Sequence, residues 1–465
     1  MNRKVSLLYI SLACVLSLQA QTRQQMGGVY YAYPEGPSAK TGTFGTATYV
    51  LSDSLNVPQG YAPFYISHYG RHGSRWMPKD DRYVWICKHF EDESNLTPLG
   101  LQVKGMLQRV WENAKGNGGK LSKLGALQHQ GIAHRMFERY PQIFAAGNAV
   151  KARSSVVDRC AKSMQAFTSE LHTLQSGLNL DVKTDSADMA WIAYVSPEVK
   201  ALENRTHVQA QVSPRRFLLQ LFKDVSKVDE PLKLMTEMHT VVSSIQDVGL
   251  NFSSYPQDIE DGLNALFTDD EFRAIYEANN LRMTINNGTV ATNEDIPARS
   301  AISLWQNIEA EADRALRSVK SSATLRFGHD TALYRLLSLL FDVNVPPAGA
   351  REEASLVVLG DEMEKMDRIV PMAANLQMIF YKNAKDSVLV KFMLNERDIM
   401  LSPVGQVIYG THYYSWNAWK QEMHERIHRL EHIRQLNAIN TMVGTAQANT
   451  QTAGMFGKGS EEHGQ

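Results

Sequence analysis

Ser67-His68-Tyr69-Gly70-Arg71-His72-Gly73-Ser74-Arg75 follows directly on an apolar, aromatic run, Tyr61-Ala62-Pro63-Phe64-Tyr65-Ile66. The run reads as a short buried strand, since aromatic and β-branched residues suit a pleated, packed surface. That strand ends and at once delivers two arginines, a histidine and a glycine. Arginine offers a planar fork of donors that matches phosphate oxygens and stays charged. Histidine is the side chain able to act as a neutral nucleophile near neutral pH. The glycine beside it lacks a Cβ, so the backbone can approach a ligand closely. The stretch therefore points to attack by His72 on a phosphoryl group held by Arg71 and Arg75. A solvated basic turn is the plainer reading, so partners elsewhere in the chain must decide.

Two other stretches repeat the pattern of strand, polar turn and helix. Residues 148–153 read as a strand, Ser154 and Ser155 as a helix start, and Val157, Cys160, Met164, Phe167 and Leu171 as the buried face of that helix. Residues 323–327 read as a strand running into Gly328-His329-Asp330, with a leucine-rich helix over 331–340. In open α/β sheets ligands bind beyond the carboxyl ends of the strands. The turns at His72, Arg153 and His329 are thus expected to meet in one pocket. Arg153 would be a third phosphate donor, His329 a further hydrogen-bonding group, and Asp330 the acid for the leaving alcohol. Phosphoryl transfer depends above all on positioning and charge neutralisation, with an acid for the departing oxygen. The scheme needs no cofactor and no metal, because the arginines take the place of magnesium. Asp330 also suits the N-cap of the helix after it. Arg159 reads as a structural partner of an acid rather than a ligand.

The chain has 465 residues, 43% hydrophobic and 21% charged, enough for a large core with an elaboration. A net charge of −1 gives no support for a nucleic-acid or membrane-surface partner, so any anion site must be local. Arg3 and Lys4, a short apolar run over 5–18 and Ala20 read as a secretory signal over 1–20. Its loss removes two positive charges, taking −1 to −3. A secreted or periplasmic location follows as an expectation. No stretch is long and apolar enough to span a membrane. Cys87 and Cys160 permit one disulfide, but so sparse a pair is no framework.

The expected architecture is α/β. A core over 21–175 and 316–443 is interrupted by an all-helical insert over 176–315, with polar connections at 181–188, 253–256 and 286–293. Helices are expected near 98–115 and 124–140, a strand pair at 373–381 and 387–394, a charged amphipathic helix over 414–440, and a disordered tail over 444–465. Lys79, Arg205 and Arg215 are basic candidates for meeting further phosphates, and Arg216 lies beside them.

Taken together, the motifs resemble the histidine acid phosphatases, the branch of the histidine phosphatase superfamily that includes phytases. The family's Arg-His-Gly-x-Arg signature stands as Arg71-His72-Gly73-Ser74-Arg75, and its distal His-Asp motif as Gly328-His329-Asp330-Thr331. A middle arginine element resembles Arg153-Ser154-Ser155, Asp158-Arg159 and Gln165-Ala166-Phe167. The resemblance implies a mixed-sheet core flanked by helices with a helical insertion. It implies His72 as the phosphorylated nucleophile, Asp330 as proton donor, and Arg71, Arg75, Arg153 and His329 as phosphate ligands. Pro371, Ala374-Asn375-Leu376, Phe380-Tyr381 and Met393-Leu394-Asn395-Glu396 look most like the multiple inositol polyphosphate phosphatases, which implies a small inositol polyphosphate substrate. That subgroup usually carries His-Ala-Glu where this chain has His329-Asp330. The proline of Trp76-Met77-Pro78 also comes one residue late.

Other classes remain in view. A broad acid phosphatase for sugar phosphates shares the same machinery, and a phosphate-binding protein would keep the pocket without turnover. His424-Glu425-Arg426-Ile427-His428 is a literal zinc-protease motif. Against it, Arg426 places a cation inside that site, and Trp416, Trp419, Met423, Ile427 and Leu430 supply the helix's apolar face.

Overall fold

The structure is a computed structural model that describes residues 22–33, 57–340, 365–399 and 413–435. The expected signal peptide and the expected disordered tail lie outside the described residues.

One mixed sheet carries the site. Its strands are β1 (Tyr61–Arg71), β2 (Ala149–Ser154), β3 (Asn179–Thr184), β4 (Ser322–Gly328), β5 (Asn375–Asn383), β6 (Val388–Leu394), β7 (Arg397–Ile399) and β8 (Tyr414–Ser415). The order is β3-β2-β4-β1-β5-β6-β7, with β8 on β6. β3, β2, β4 and β1 run parallel, and β5 to β8 pair antiparallel beyond them. The expected first strand does not stop at Ile66 but continues through Arg71, so the strand itself carries the first arginine of the signature.

Before β2 come α1 (Asp80–Lys88), α2 (Pro98–Ala114) and α3 (Lys123–Arg139); α4 (Asp158–Leu174) follows β2. Thr97 and Ser122 start α2 and α3 by accepting the amides of Gly100 and Gly125. Between β3 and β4 lie α5 (Met189–Ile192), α6 (Pro197–Arg205), α7 (Arg215–Leu221), α8 (Pro231–Val248), α9 (Gln257–Asn264), α10 (Asp269–Asn287), α11 (Ile296–Ser300) and α12 (Ile302–Leu316). After β4 come α13 (Asp330–Leu340), α14 (Met366–Ile369) and α15, over 416–435.

The period of two along the strands sorts side chains to the two faces. Tyr65, Tyr69, Met378 and Phe380 pack with Trp305, Leu333, Leu336, Trp416 and Trp419 on one face. Ile66, Ala152, Leu325 and Phe327 pack with Ile132, Met136, Phe167 and Leu171 on the other. A third core is made mainly by helices and the turns between them, joining Phe90, Val103 and Leu107 to Phe217, Leu234, Phe272 and Ile275. The segment 176–315 thus contributes to more than one core, and residues 76–114 share the helical one.

Two expectations change. The stretch read as a polar connection from 181 overlaps β3, which pairs with β2 at the sheet edge. Its residues are almost all exposed, so no apolar alternation marked it as a strand. The zinc-protease reading also falls. The buried Arg426 donates to the Ser338 carbonyl at 3.0 Å, and His424 pairs with Glu309 at 2.8 Å. Among the described residues no group of His, Cys, Asp and Glu could hold a metal. Cys87 and Cys160 are both free thiols.

Candidate active site

Register builds the site. Arg71 and Gly328 end the neighbouring strands β1 and β4 and stand opposite each other. His72 and His329 therefore leave the sheet side by side, their rings 5.9 Å apart and edge to face. The His72 amide donates to the Gly328 carbonyl at 3.0 Å. One strand over, Ser154 pairs with Phe327, and the Ser155 amide continues the ladder to the Phe327 carbonyl at 2.9 Å. The Ser155 hydroxyl then lies 3.1 Å from His329 Nε2. The turns after β1, β2 and β4 do converge.

His72 is buried, and its Nδ1 sits 2.9 Å from the Gly73 carbonyl oxygen. A carbonyl only accepts, so Nδ1 carries the proton and Nε2 keeps its lone pair. Burial, then the charges of Arg71, Arg75 and Arg159 and the nearby His329, hold this imidazole well below its ordinary range. His72 is thus a neutral base with a fixed tautomer. Gly73 is required by packing: a Cβ there would stand 2.3 Å from the Gly125 carbonyl oxygen. Gly125 is equally confined, its own Cβ falling 2.2 Å from the Ser74 carbonyl oxygen. The signature loop and the start of α3 therefore touch backbone to backbone.

Arg71 is fully buried and donates through Nη1 to the carbonyls of Val29 at 2.7 Å and Val370 at 2.5 Å. Its Nη2 is 3.0 Å from the Asp330 carboxylate. Arg75 donates to the Trp76 carbonyl at 2.8 Å and lies over the Tyr30 ring, 5.4 Å from its centroid. The Nε of Arg71, Arg75 and Arg159 are all buried and lack a protein partner. Buried guanidinium donors without acceptors are costly, and an anion between them would relieve the cost. Ser74 ties the loop down: its hydroxyl donates to Asp247 at 2.6 Å, and its amide donates to Gln128 at 2.9 Å. Asp247 is buried, and desolvation pushes its carboxyl up to about 8 despite Ser74, Arg75 and Arg71.

His329 is lowered to about 4, by burial first and then by Arg159. Asp330 accepts the Thr331 amide at 2.8 Å as α13 begins. Burial pushes its carboxyl up, but Arg71, Arg75, His329 and that amide outweigh burial and hold it below the usual range. Gly328 admits no side chain, because a Cβ would stand 2.0 Å from the Tyr69 hydroxyl oxygen. That hydroxyl bonds the Ile192 carbonyl at 2.8 Å and receives the His329 amide at 3.3 Å.

The chain is similar in sequence and in fold to known proteins. The sequence is 23% identical over 338 residues to multiple inositol polyphosphate phosphatase 1 of Gallus gallus, covering 70% of this chain and 73% of the relative. The Bifidobacterium longum multiple inositol polyphosphate phosphatase, solved with inositol hexasulfate, superposes with a TM-score of 0.64 at 16% identity, over 86% of this chain and 97% of that one. The phytase from D. castellii follows at 0.59 and 13% identity, over 90% and 89%. No family model matches the sequence. The chain is similar in sequence to multiple inositol polyphosphate phosphatase 1 and shares the fold of these phosphatases.

Within this phosphatase fold one sequence expectation is corrected. Arg153 does not enter the cluster. It lies on β2 in register with Arg326 and Lys183, and its guanidinium turns to the sheet edge. There it donates to the Ala152 and Asp181 carbonyls, each at 2.8 Å, and to the Asp181 carboxylate at 2.6 Å, with Asp188 at 3.8 Å. Arg159 stands in its place: its charge acts on His72 and His329, and Arg75 acts on it. A side chain on the strand body points to one sheet face, whereas the first turn of α4 faces back over the strand end. The sequence did hold a signal. An arginine in the first turn opposes the helix dipole and is unfavourable unless an anion is bound there. Asp247, Ser155 and the Val29–Tyr30 segment were likewise not read as parts of the site.

The outer basic candidates are not brought to it. Lys79 is exposed just before α1, Arg215 is exposed at the start of α7, and Arg205 is exposed in the last turn of α6. Among the described residues no hydrogen bond or ion pair joins their side chains to the cluster. Arg216 is held by Glu271 at the start of α10.

Proposed function

We propose that this protein is a phosphomonoesterase that passes the phosphoryl group through His72, with inositol polyphosphates as substrates. The observation that carries the reading is the Nδ1–H bond from His72 to the Gly73 carbonyl, which leaves Nε2 unprotonated among Arg71, Arg75 and Arg159. A phosphate seated there meets the unpartnered guanidinium donors. Nε2 forms a bond to phosphorus as the ester P–O bond breaks. Asp330 gives its proton to the departing alkoxide. Water then attacks the phosphohistidine, Asp330 takes a proton back, and the N–P bond breaks to release phosphate and neutral His72. Substrate binding supports the acid step, since a phosphate dianion competes with Asp330 for Arg71 and raises the carboxyl's proton affinity.

The inositol polyphosphate reading draws on the Gallus gallus relative and on the fold shared with the Bifidobacterium longum protein. The distal His329-Asp330 leaves the order of attack around the ring to be read from products. Export to the periplasm or medium is proposed on the signal over 1–20.

The pH profile tests the reading. His72 is held down, so the nucleophile stays unprotonated into acid. Asp330 is also held down, so its acid form is lost as pH rises toward neutrality. Phosphate release from phytate is therefore expected to be greatest in acid and to fall as pH rises to 7 and beyond, while p-nitrophenyl phosphate, whose leaving group needs no proton, falls less. A phytate profile that climbs through neutrality, or no release from phytate at any pH, would sink the proposal. If turnover is confined to simple monoesters, the broad acid phosphatase takes its place.

The two middle arginines give a second test. Arg159→Ala is expected to lower kcat/KM by about 10²- to 10³-fold, as for loss of one aimed donor. Arg153→Ala should cost activity little and act mainly on the β2–β3 edge. Equal effects would remove Arg159 from the phosphate site.

A further inference from the structure

We infer that the N-terminal segment around the 3-10 helix Gln25–Tyr30 is a working part of the anion site, with Tyr30 as a positioning residue for Arg75. The inference rests on the phosphate-pocket reading above and names what orients its arginines.

Two adjacent residues of the segment reach two different signature arginines. The Val29 carbonyl accepts from Arg71 Nη1 at 2.7 Å. The Tyr30 ring lies under the Arg75 guanidinium at 5.4 Å. The Tyr30 hydroxyl interacts with Arg82, whose Nε is bonded to Glu237 at 2.8 Å. Tyr30 is thus held at its far end while its face meets Arg75. An aromatic face attracts a guanidinium and sets its plane, so it fixes which way the remaining donors point.

The segment is stitched down along its length. Arg23 donates to Asp269 at 3.0 Å and to the Phe267 carbonyl at 2.9 Å, at the start of α10. Gln246 of α8 bonds the Gln24 carbonyl and the Ala32 amide, each at 3.1 Å. The Met372 amide donates to the Tyr31 carbonyl at 2.9 Å, and Gln128 of α3 donates to the Tyr33 carbonyl at 3.2 Å. Gly28 bends the chain with φ at +60° between the buried Gly27 and the half-buried Val29. Gly27 lies against Ser243, where a Cβ would be 3.2 Å from that residue's Cβ. So the segment bridges the helical layer and the loop before β5, and presents Val29 and Tyr30 to the cluster between them.

The experiment measures binding of inorganic phosphate by calorimetry, alongside steady-state kinetics, on Tyr30→Phe, Tyr30→Leu and Arg23→Ala. Phe keeps the ring, and its phosphate affinity is expected to stay within about twofold of the parent. Leu keeps bulk without a π face, and its affinity is expected to fall by about three- to thirtyfold, the range of one cation–π contact. KM should rise in Tyr30→Leu by a similar factor, with a smaller change in kcat. Arg23→Ala touches none of the cluster, yet it is expected to weaken phosphate binding by loosening the segment, with faster amide exchange over 25–30. Equal phosphate affinity in Tyr30→Leu and Tyr30→Phe would overturn the role of the ring. Unchanged affinity in Arg23→Ala despite faster exchange would overturn the role of the segment. Phosphate binding needs no turnover, so a parent protein that binds phosphate but hydrolyses nothing would sink the phosphatase reading alone.

Discussion

His72→Ala is expected to abolish phosphate release, with a loss of about 10⁴-fold or more, as for removal of a covalent nucleophile. The imidazole combines burial, a fixed tautomer and an Nε2 lone pair among the guanidinium groups. The alanine leaves those guanidinium groups in place, because Arg71 is held by Val29 and Val370 and Arg75 by Trp76 and Tyr30. Inorganic phosphate should therefore still bind. Rapid acid-free quenching of the parent protein with labelled substrate should trap label on His72, and the variant should show none. Substantial turnover in His72→Ala would exclude the covalent route, and loss of phosphate binding with turnover would point to a collapsed pocket instead.

Asp330→Asn is expected to lower kcat on phytate or glycerol phosphate by about 10²- to 10⁴-fold, the usual contribution of a positioned acid. On p-nitrophenyl phosphate the loss should be much smaller, since that phenolate leaves unaided. The substitution keeps the shape and an acceptor for the Thr331 amide, so α13 should still start at the same place. It removes the negative charge 3.0 Å from Arg71 Nη2, which favours phosphate binding rather than opposing it. A lower rate with phosphate affinity kept or improved is thus the signature of the acid role. Equal losses on both substrates would make Asp330 a structural cap and no more.

Much of this is legible in the sequence. A strand that ends in arginine and histidine, a second that ends in histidine and aspartate, and apolar helices after them are local patterns. Parallel strands place such ends on one edge of a sheet as a matter of topology. Thr97 was readable as a helix start, because capping depends on residues only a few positions apart; Asp330 was read as the cap of the helix after it but is that helix's first residue. β3 was not legible, since an exposed edge strand lacks the buried face that alternation reports.

The choice between Arg153 and Arg159 shows where local reading ends. Both lie near the end of β2, and both are arginines beside acids. Sheet register sends Arg153 to Asp181, and the return of α4 over the strand end brings Arg159 to the cluster. The same holds for Asp247 and for Val29 and Tyr30, which are distant in sequence from the motif they support. The sequence by itself determined the signature loop, its histidine and the α/β class, because these follow from neighbouring residues and period. Only the tertiary structure decided which guanidinium groups surround His72, and what holds them, because those contacts join elements that no local periodicity connects.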